Sequence, residues 1–224
     1  MNKKRAKSII DNLEKNNSLS LGCIEFAPNI YLKIGRIHEI CGPAKTRVAI
    51  LVGAKTKGLI VWIRPDWENS IINTDSISNW FSPNQLLLIN AKNKNDILFA
   101  TEEVLRSGLS EVTITELPVI PSALQMRRIR LAITSGVKLN NTKKPLGLIL
   151  SPNEGGATNI ESRWYASTLP CWYNLTNKEN DTLNQKWYLK RLFSKTDPIK
   201  QWSIETVGSN KKNMPPKLLS LPIT

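Results

Sequence analysis

Glu39-Ile40-Cys41-Gly42-Pro43-Ala44-Lys45-Thr46 is the stretch on which the fold turns. Arg36 to Cys41 reads as a strand with Ile37 and Ile40 apolar, and Gly42-Pro43 ends it with a turn signal. Lys45 to Lys57 then carries Val48, Ala49, Leu51, Val52 and Ala54 at helical spacing. Gly58 reads as the stop of that helix, because glycine takes the left-handed cap without strain. Strand, glycine turn, helix is the first half of a βαβ unit.

The same alternation continues outward. Leu59 to Ile63 is a continuous apolar run, the mark of a strand buried on both faces, and Gln85 to Ala91 holds a second. Asp96 to Ser107 reads as a helix with Asn95 as N-cap and Gly108 past its end. Glu111 to Leu117 alternates like a strand. Ser122 caps a helix running to about Ser135 and ended by Gly136, and Gly147 to Leu150 is a further strand. Strands alternating with helices of ten or more residues imply right-handed crossovers and a mostly parallel sheet with helices on both faces. From Ser151 to Ile160 the texture is that of a loop. Three aromatic strands follow, Arg163 to Ser167, Lys186 to Phe193 and Gln201 to Thr206, which predict an antiparallel C-terminal edge. The expected organisation is a polar leader helix over 1–20, a single α/β domain over 21–207, and a disordered basic tail over 208–224.

Composition narrows the function classes. The 224 residues carry 31 Lys plus Arg against 18 Asp plus Glu, a net charge of +13, which favours nucleic acid, an anionic surface or an acidic partner. Cys23, Cys41 and Cys171 are widely spaced and contain no CxxC pair, which argues against a disulfide framework and a structural zinc. A single histidine, His38, excludes a His-rich metal site, and no metal or other cofactor is expected. No apolar stretch is long enough for a membrane span, and the basic start lacks a signal-type apolar region, so a cytoplasmic protein with no membrane partner is expected.

Gly42, Lys45 and Thr46 outline a phosphate-binding loop, which needs a run of backbone N–H groups, a lysine for the phosphates and a hydroxyl for Mg²⁺. Here the second glycine is absent, the Gly42–Lys45 segment is three residues short, and Pro43 supplies no N–H. The loop therefore reads either as a nucleotide site or as a vestigial turn. Glu116, at the end of an apolar strand, is the matching acidic candidate, against the alternative of a solvated strand end. His38 has no recognisable nucleophile beside it and reads as a hydrogen-bonded strand histidine.

Two basic segments are candidates for binding. From Val119 to Asn153 there is no acid, and Arg127, Arg128 and Arg130 fall within four residues of one helix. They form either a solvated face or a surface for phosphates or an acidic partner. From Lys186 onward, Trp187, Lys190, Arg191 and Trp202 mix cations with aromatic rings, as a single-stranded nucleic-acid site does. The other reading is an aromatic core beneath a basic edge.

Gly35-Arg36-Ile37-His38-Glu39-Ile40 followed by Gly42 resembles the first core strand and loop of RecA-like proteins. Leu98 to Gly108, the strand ending Glu116-Leu117, the helix Arg127-Arg128-Ile129-Arg130-Leu131-Ala132 and the tryptophan-marked strands at Arg163-Trp164, Trp187 to Arg191 and Trp202 to Glu205 together resemble the ImuA family, across roughly residues 35–206. That resemblance implies a RecA-like fold without a working ATPase. It also implies a non-catalytic adaptor role in damage-induced, error-prone translesion synthesis, with an ImuB-like inactive relative of Y-family polymerases and an error-prone DnaE-type polymerase as partners. Single-stranded DNA joins them as a possible direct partner. Two other classes compete: a RecA-like DNA-dependent ATPase in repair, and an inhibitor of cell division like the related SulA proteins.

Overall fold

The computed structural model describes residues 22–68, 77–140, 144–169, 186–207 and 217–222. The expected leader helix lies outside them. A hairpin comes first, β1 (Cys23–Ala27) and β2 (Ile30–Lys33). Then follow β3 (Ile37–Cys41), α1 (Lys45–Gly53), β4 (Ile60–Pro65), β5 (Leu86–Ala91), α2 (Lys94–Ser107), β6 (Val112–Glu116), α3 (Ala123–Leu139) and β7 (Leu146–Leu150). β8 (Ser162–Thr168), β9 (Lys186–Ser194), β10 (Gln201–Val207) and β11 (Lys217–Pro222) complete the chain.

The nine strands from β3 onward form one sheet in the order β11-β10-β9-β8-β3-β7-β6-β4-β5. From β8 to β5 neighbouring strands are parallel, and β9, β10 and β11 add an antiparallel edge. Of the two runs read as buried on both faces, β4 is buried at every residue, but β5 is not: it is the outermost strand of the sheet, and Leu87 and Leu88 are 49% and 38% exposed. β3 and β7, inside the sheet, are buried at every residue. The chain moves outward from β3 to β4 through α1, then returns from β5 through β6 to β7 by way of α2 and α3. Right-handed crossovers in opposite directions place their helices on opposite faces. Accordingly α1 and the hairpin pack on one face with Ile40, Trp62, Ile114 and Leu148. α2 and α3 pack on the other with Ile37, Val61, Ile63 and Ile149.

Local chemistry moved several boundaries. α1 stops at Gly53 rather than near Gly58, because the Thr56 hydroxyl turns back onto the Gly53 carbonyl at 2.8 Å. Gly58 instead donates its N–H to Glu111 at 2.6 Å and aligns the start of β4. α2 is capped by Asn93, whose side chain accepts from the Asp96 N–H at 2.9 Å, and not by Asn95. Gly136 does not end α3. It lies inside the helix where α2 approaches, and a Cβ there would sit 2.0 Å from the Leu105 carbonyl oxygen.

Two differences concern the sheet. β8, expected with the antiparallel strands, is parallel to β3 and antiparallel only to β9. Within the tail expected to be disordered, Lys217–Pro222 forms β11 along β10, and the rest of 208–224 lies outside the described residues. The open edge of β10 offers a row of unpaired N–H and C=O groups, and an apolar segment that reaches it pairs. Among the described residues, no helix is long and apolar enough to cross a membrane.

Candidate functional site

β3 and β7 are neighbours, yet the chain leaves β3 toward one side of the sheet and leaves β7 toward the other. Such a reversal leaves a crevice beyond the carboxyl ends of the strands, the usual place for a ligand in an open α/β sheet. A cleft of about 440 Å³ lies there, lined by Gly42, Pro43, Lys45, Ser151, Asn153, Glu154 and Tyr165. The β3–α1 turn, the segment after β7 and the middle of β8 all contribute to it.

The turn is tied down by its own neighbours. Gly42 has φ +88°, and a Cβ at that position would meet the Ala166 carbonyl oxygen at 2.4 Å and the Tyr165 ring at 2.9 Å, so only glycine fits. Its N–H donates to the Asn153 carbonyl at 3.3 Å, the Ala44 N–H to the Ala166 carbonyl at 3.0 Å, and the Lys45 N–H to the Gly42 carbonyl at 3.2 Å. Pro43 has none to give. A phosphate cradle depends on such N–H groups pointing outward together; here they point into the protein. The Lys45 ammonium likewise donates to the Ser151 carbonyl at 3.1 Å. Ser151 is fully buried, and its hydroxyl has no hydrogen-bond partner among the described residues.

Thr46 and Glu116 are not among the residues lining the cleft. Thr46 lies in the first turn of α1, half-buried. Glu116 accepts the indole N–H of the fully buried Trp62 at 2.6 Å, and burial raises its carboxyl above the usual range. The lining residues Ser151, Asn153, Glu154 and Tyr165 were not singled out from sequence. The signal available was a polar Ser-Pro-Asn-Glu-Gly-Gly segment directly after an apolar strand.

Cys41 is buried, its thiol pointing at the Trp164 carbonyl, and burial pushes it up to about 11, so it is no nucleophile. His38 has a structural part. Its Nε2–H donates to the Lys33 carbonyl at 2.9 Å, which leaves Nδ1 to accept the Ser162 hydroxyl at 2.6 Å. Ser162 in turn accepts the Trp164 indole N–H at 2.7 Å. This chain fastens the hairpin to β3 and β8.

The two basic candidates separate. Trp187 and Trp202 are buried, at 5% and 7% exposure, and so present no open face for a stacked base. Arg191 is buried beside them, its guanidinium 5.2 Å from the Trp164 ring and 5.4 Å from that of Trp202. Its Nε–H donates to the Pro198 carbonyl at 2.9 Å. Arg47 covers Trp187 in the same way at 5.2 Å. Lys190 is half-buried on β9, opposite Tyr165 and Gln201. The aromatic core beneath a basic edge is therefore the geometry found here.

On α3, Arg127, Arg128 and Arg130 are all exposed. Arg128 is held by the buried Glu102 of α2 at 2.9 Å. Among the described residues, Arg127 and Arg130 have no ion-pair partner. Leu124 and Leu131, 69% and 58% exposed, flank Arg127 at helical spacing on the same stripe.

No protein-family model matches this chain, and a search of curated proteins finds no match. The functional reading accordingly rests on the geometry above and on the resemblance carried by the residues themselves.

Proposed function

We propose that the chain is a RecA-like, non-catalytic adaptor in damage-induced translesion synthesis, docking an ImuB-like protein and an error-prone DnaE-type polymerase. One observation carries the non-catalytic half. The N–H groups of Gly42, Ala44 and Lys45 and the Lys45 ammonium are all engaged within the protein at the place where a nucleotide would need them. The RecA-like half is supported by the β3–turn–α1 unit beside the switch in strand direction. The docking half is supported by Leu124, Arg127 and Leu131, an exposed stripe of α3 that no described element covers and that suits an acidic, amphipathic partner.

Isothermal calorimetry with Mg-ATP tests the first half. No saturable heat is expected at micromolar concentrations, where binding corresponds to about −8 kcal/mol. A micromolar site abolished by Lys45→Ala would replace the adaptor with an ATPase. That rival has one observation in its favour: the unpartnered Ser151 hydroxyl beside a cleft large enough for a ligand. Capture of a purified ImuB-like protein, lost on Arg127→Glu, tests the second half.

A further inference from the structure

The sheet has a second charged centre, at the other end of the strand that carries Gly42. Arg36 precedes β3, and Glu161 precedes β8 beside it. Glu161 is buried and is shared by three cations: Lys33 at 3.1 Å, Arg36 at 3.7 Å and Lys195 at 3.9 Å. The three come from separate elements, namely the end of β2, the turn before β3 and the turn after β9. Backbone bonds fix the arrangement, since the Glu161 N–H donates to the Ile37 carbonyl at 2.8 Å and the Lys195 N–H to the Glu161 carbonyl at 3.1 Å. Lys33 also donates to the Thr196 hydroxyl at 3.0 Å.

One carboxylate cannot neutralise three cations. Arg130 of α3 adds its field to the same place: burial pulls the Lys195 ammonium down, Glu161 opposes this, and Arg130, Arg36 and Lys33 push it further down. The nearby Asp197 does not relieve the excess, because it is paired with Arg191 at 3.6 Å. Four cations thus face one buried acid, which positions them without cancelling them. The side chains of Arg36 and Lys195 remain 38% and 41% exposed. Phe193, two residues before Lys195, is 42% exposed.

We infer that this amino-terminal edge of the sheet is a binding site for single-stranded DNA, in which Arg36 and Lys195 take backbone phosphates, Lys33 stays on Glu161 and adds its charge, and Phe193 stacks a base. Cations spaced along an edge attract any polyanion, but an exposed aromatic ring beside them is the additional feature that single strands use. The site is independent of the adaptor reading, because it shares no residue with the Gly42 cleft or the Leu124–Leu131 stripe.

The test is fluorescence anisotropy of a labelled oligo-dT, titrated with the full chain at several salt concentrations. Saturable binding that weakens with salt is expected. The double variant Arg36→Gln/Lys195→Gln keeps Lys33 on Glu161, so the fold persists. It should bind at least roughly tenfold more weakly, with a log–log salt slope shallower by about 1.4, two phosphates at about 0.7 each on a single strand. Phe193→Ala should weaken binding by roughly fivefold or more without changing that slope. If the double variant melts early, Lys195→Gln alone, with half the slope change, takes its place. Arg127→Gln should leave both affinity and slope unaltered. The proposal is overturned if low-salt titration shows no saturable binding, or if the Arg36/Lys195 variants keep the wild-type slope. It is equally overturned if poly-glutamate competes as well as oligo-dT while Phe193→Ala has no effect, which would make the edge a surface for acidic proteins. Loss of partner capture in Arg127→Glu with DNA binding intact supports both readings, whereas partner capture by a wild-type chain that shows no saturable DNA binding removes only this one.

Discussion

Glu39 on β3 and Arg163 on β8 face each other across neighbouring parallel strands, and the same carboxylate accepts the N–H groups of Gly156 and Ala157 at 3.0 Å each. Glu39 is fully buried. The segment after β7 has to run back along the α2–α3 face to reach the start of β8, and there its backbone loses water. Buried N–H groups need partners, and Glu39 supplies them. Gly155, with φ +75°, is what lets the chain pass this close, since a Cβ there would sit 2.9 Å from the carboxyl group.

Glu39→Ala should therefore cost about 3 kcal/mol. It strands two N–H groups and a guanidinium at once, and breaking one side of a buried pair costs about 3–5 kcal/mol. Partial exposure of Arg163 places the value at the low end. Glu39→Gln keeps an acceptor oxygen and should cost less. Denaturant titration reads both, and a loss below about 1 kcal/mol for the alanine variant would show that water replaces the carboxylate.

His38 ties stability to pH. Burial lowers it from 6.5 to about 4, so the folded chain keeps it neutral while the unfolded chain takes up a proton below pH 6.5. Its contribution is complete above pH 6.5 and is lost as pH falls from there toward 4. At about 1.4 kcal/mol per pH unit the loss approaches ~3 kcal/mol. Denaturation midpoints at pH 7, 6 and 5 should decline accordingly. His38→Gln should be less stable at pH 7 but should show a shallower decline, and an equal decline would assign the pH dependence to other groups.

Gly136→Ala sets two effects against each other. Alanine favours a helix interior over glycine by about 1 kcal/mol. The new methyl, however, would lie 2.0 Å from the Leu105 carbonyl oxygen and 3.2 Å from the Gly108 Cα. Those are backbone atoms and cannot swing aside, so α2 and α3 must part, at about 1–3 kcal/mol for overpacking. A net loss of about 1 kcal/mol is expected in thermal melts. A stabilised variant would mean that the helices separate freely.

Hydrophobic pattern made most of the sheet legible in advance. The apolar run Leu59–Ile63 pointed to the doubly buried strand β4, and Ser122 was a sufficient helix start. The similar run at Gln85–Ala91 misled, because β5 is the outermost strand and apolarity alone does not give a strand's place in the sheet. What the pattern could not carry was direction and distance. β8 alternates like any edge strand, and nothing local says that it lies parallel to β3. Gly136 looks like a stop because glycine is a weak helix former; only the approach of α2 gives it another reason to be there. Trp187 and Trp202 beside lysines suggest a stacking surface, yet alternation along β9 and β10 turns them inward. Phe193 faces outward after the pairing of β8 with β9 shifts between Arg163 and Trp164, an irregularity with no sequence signal of its own. The Lys33–Arg36–Glu161–Lys195 cluster joins residues far apart in the chain, and no window could have contained it.

Arg127 and Arg128 are adjacent in sequence and differ in what they hold. Arg128 neutralises Glu102, which is only 4% exposed and has Arg106 as a further partner at 3.8 Å. Reversing Arg128 to Glu puts a second carboxylate against a buried one. With Arg106 left to compensate in part and the Arg128 head group largely in solvent, the expected cost is about 2 kcal/mol, below the full price of an unpaired buried charge. Arg127 has no such partner among the described residues, and surface substitutions of that kind stay within about 0.5 kcal/mol. The two variants therefore separate docking from folding. Arg127→Glu should keep the wild-type melting temperature and lose capture of an acidic, ImuB-like partner; Arg128→Glu should melt several degrees lower, and its melting temperature should recover in part in a background where Glu102 is changed to Gln. If Arg127→Glu captures the partner as well as the wild type does, the Leu124–Leu131 stripe of α3 is a solvated face and the docking surface lies elsewhere on the molecule.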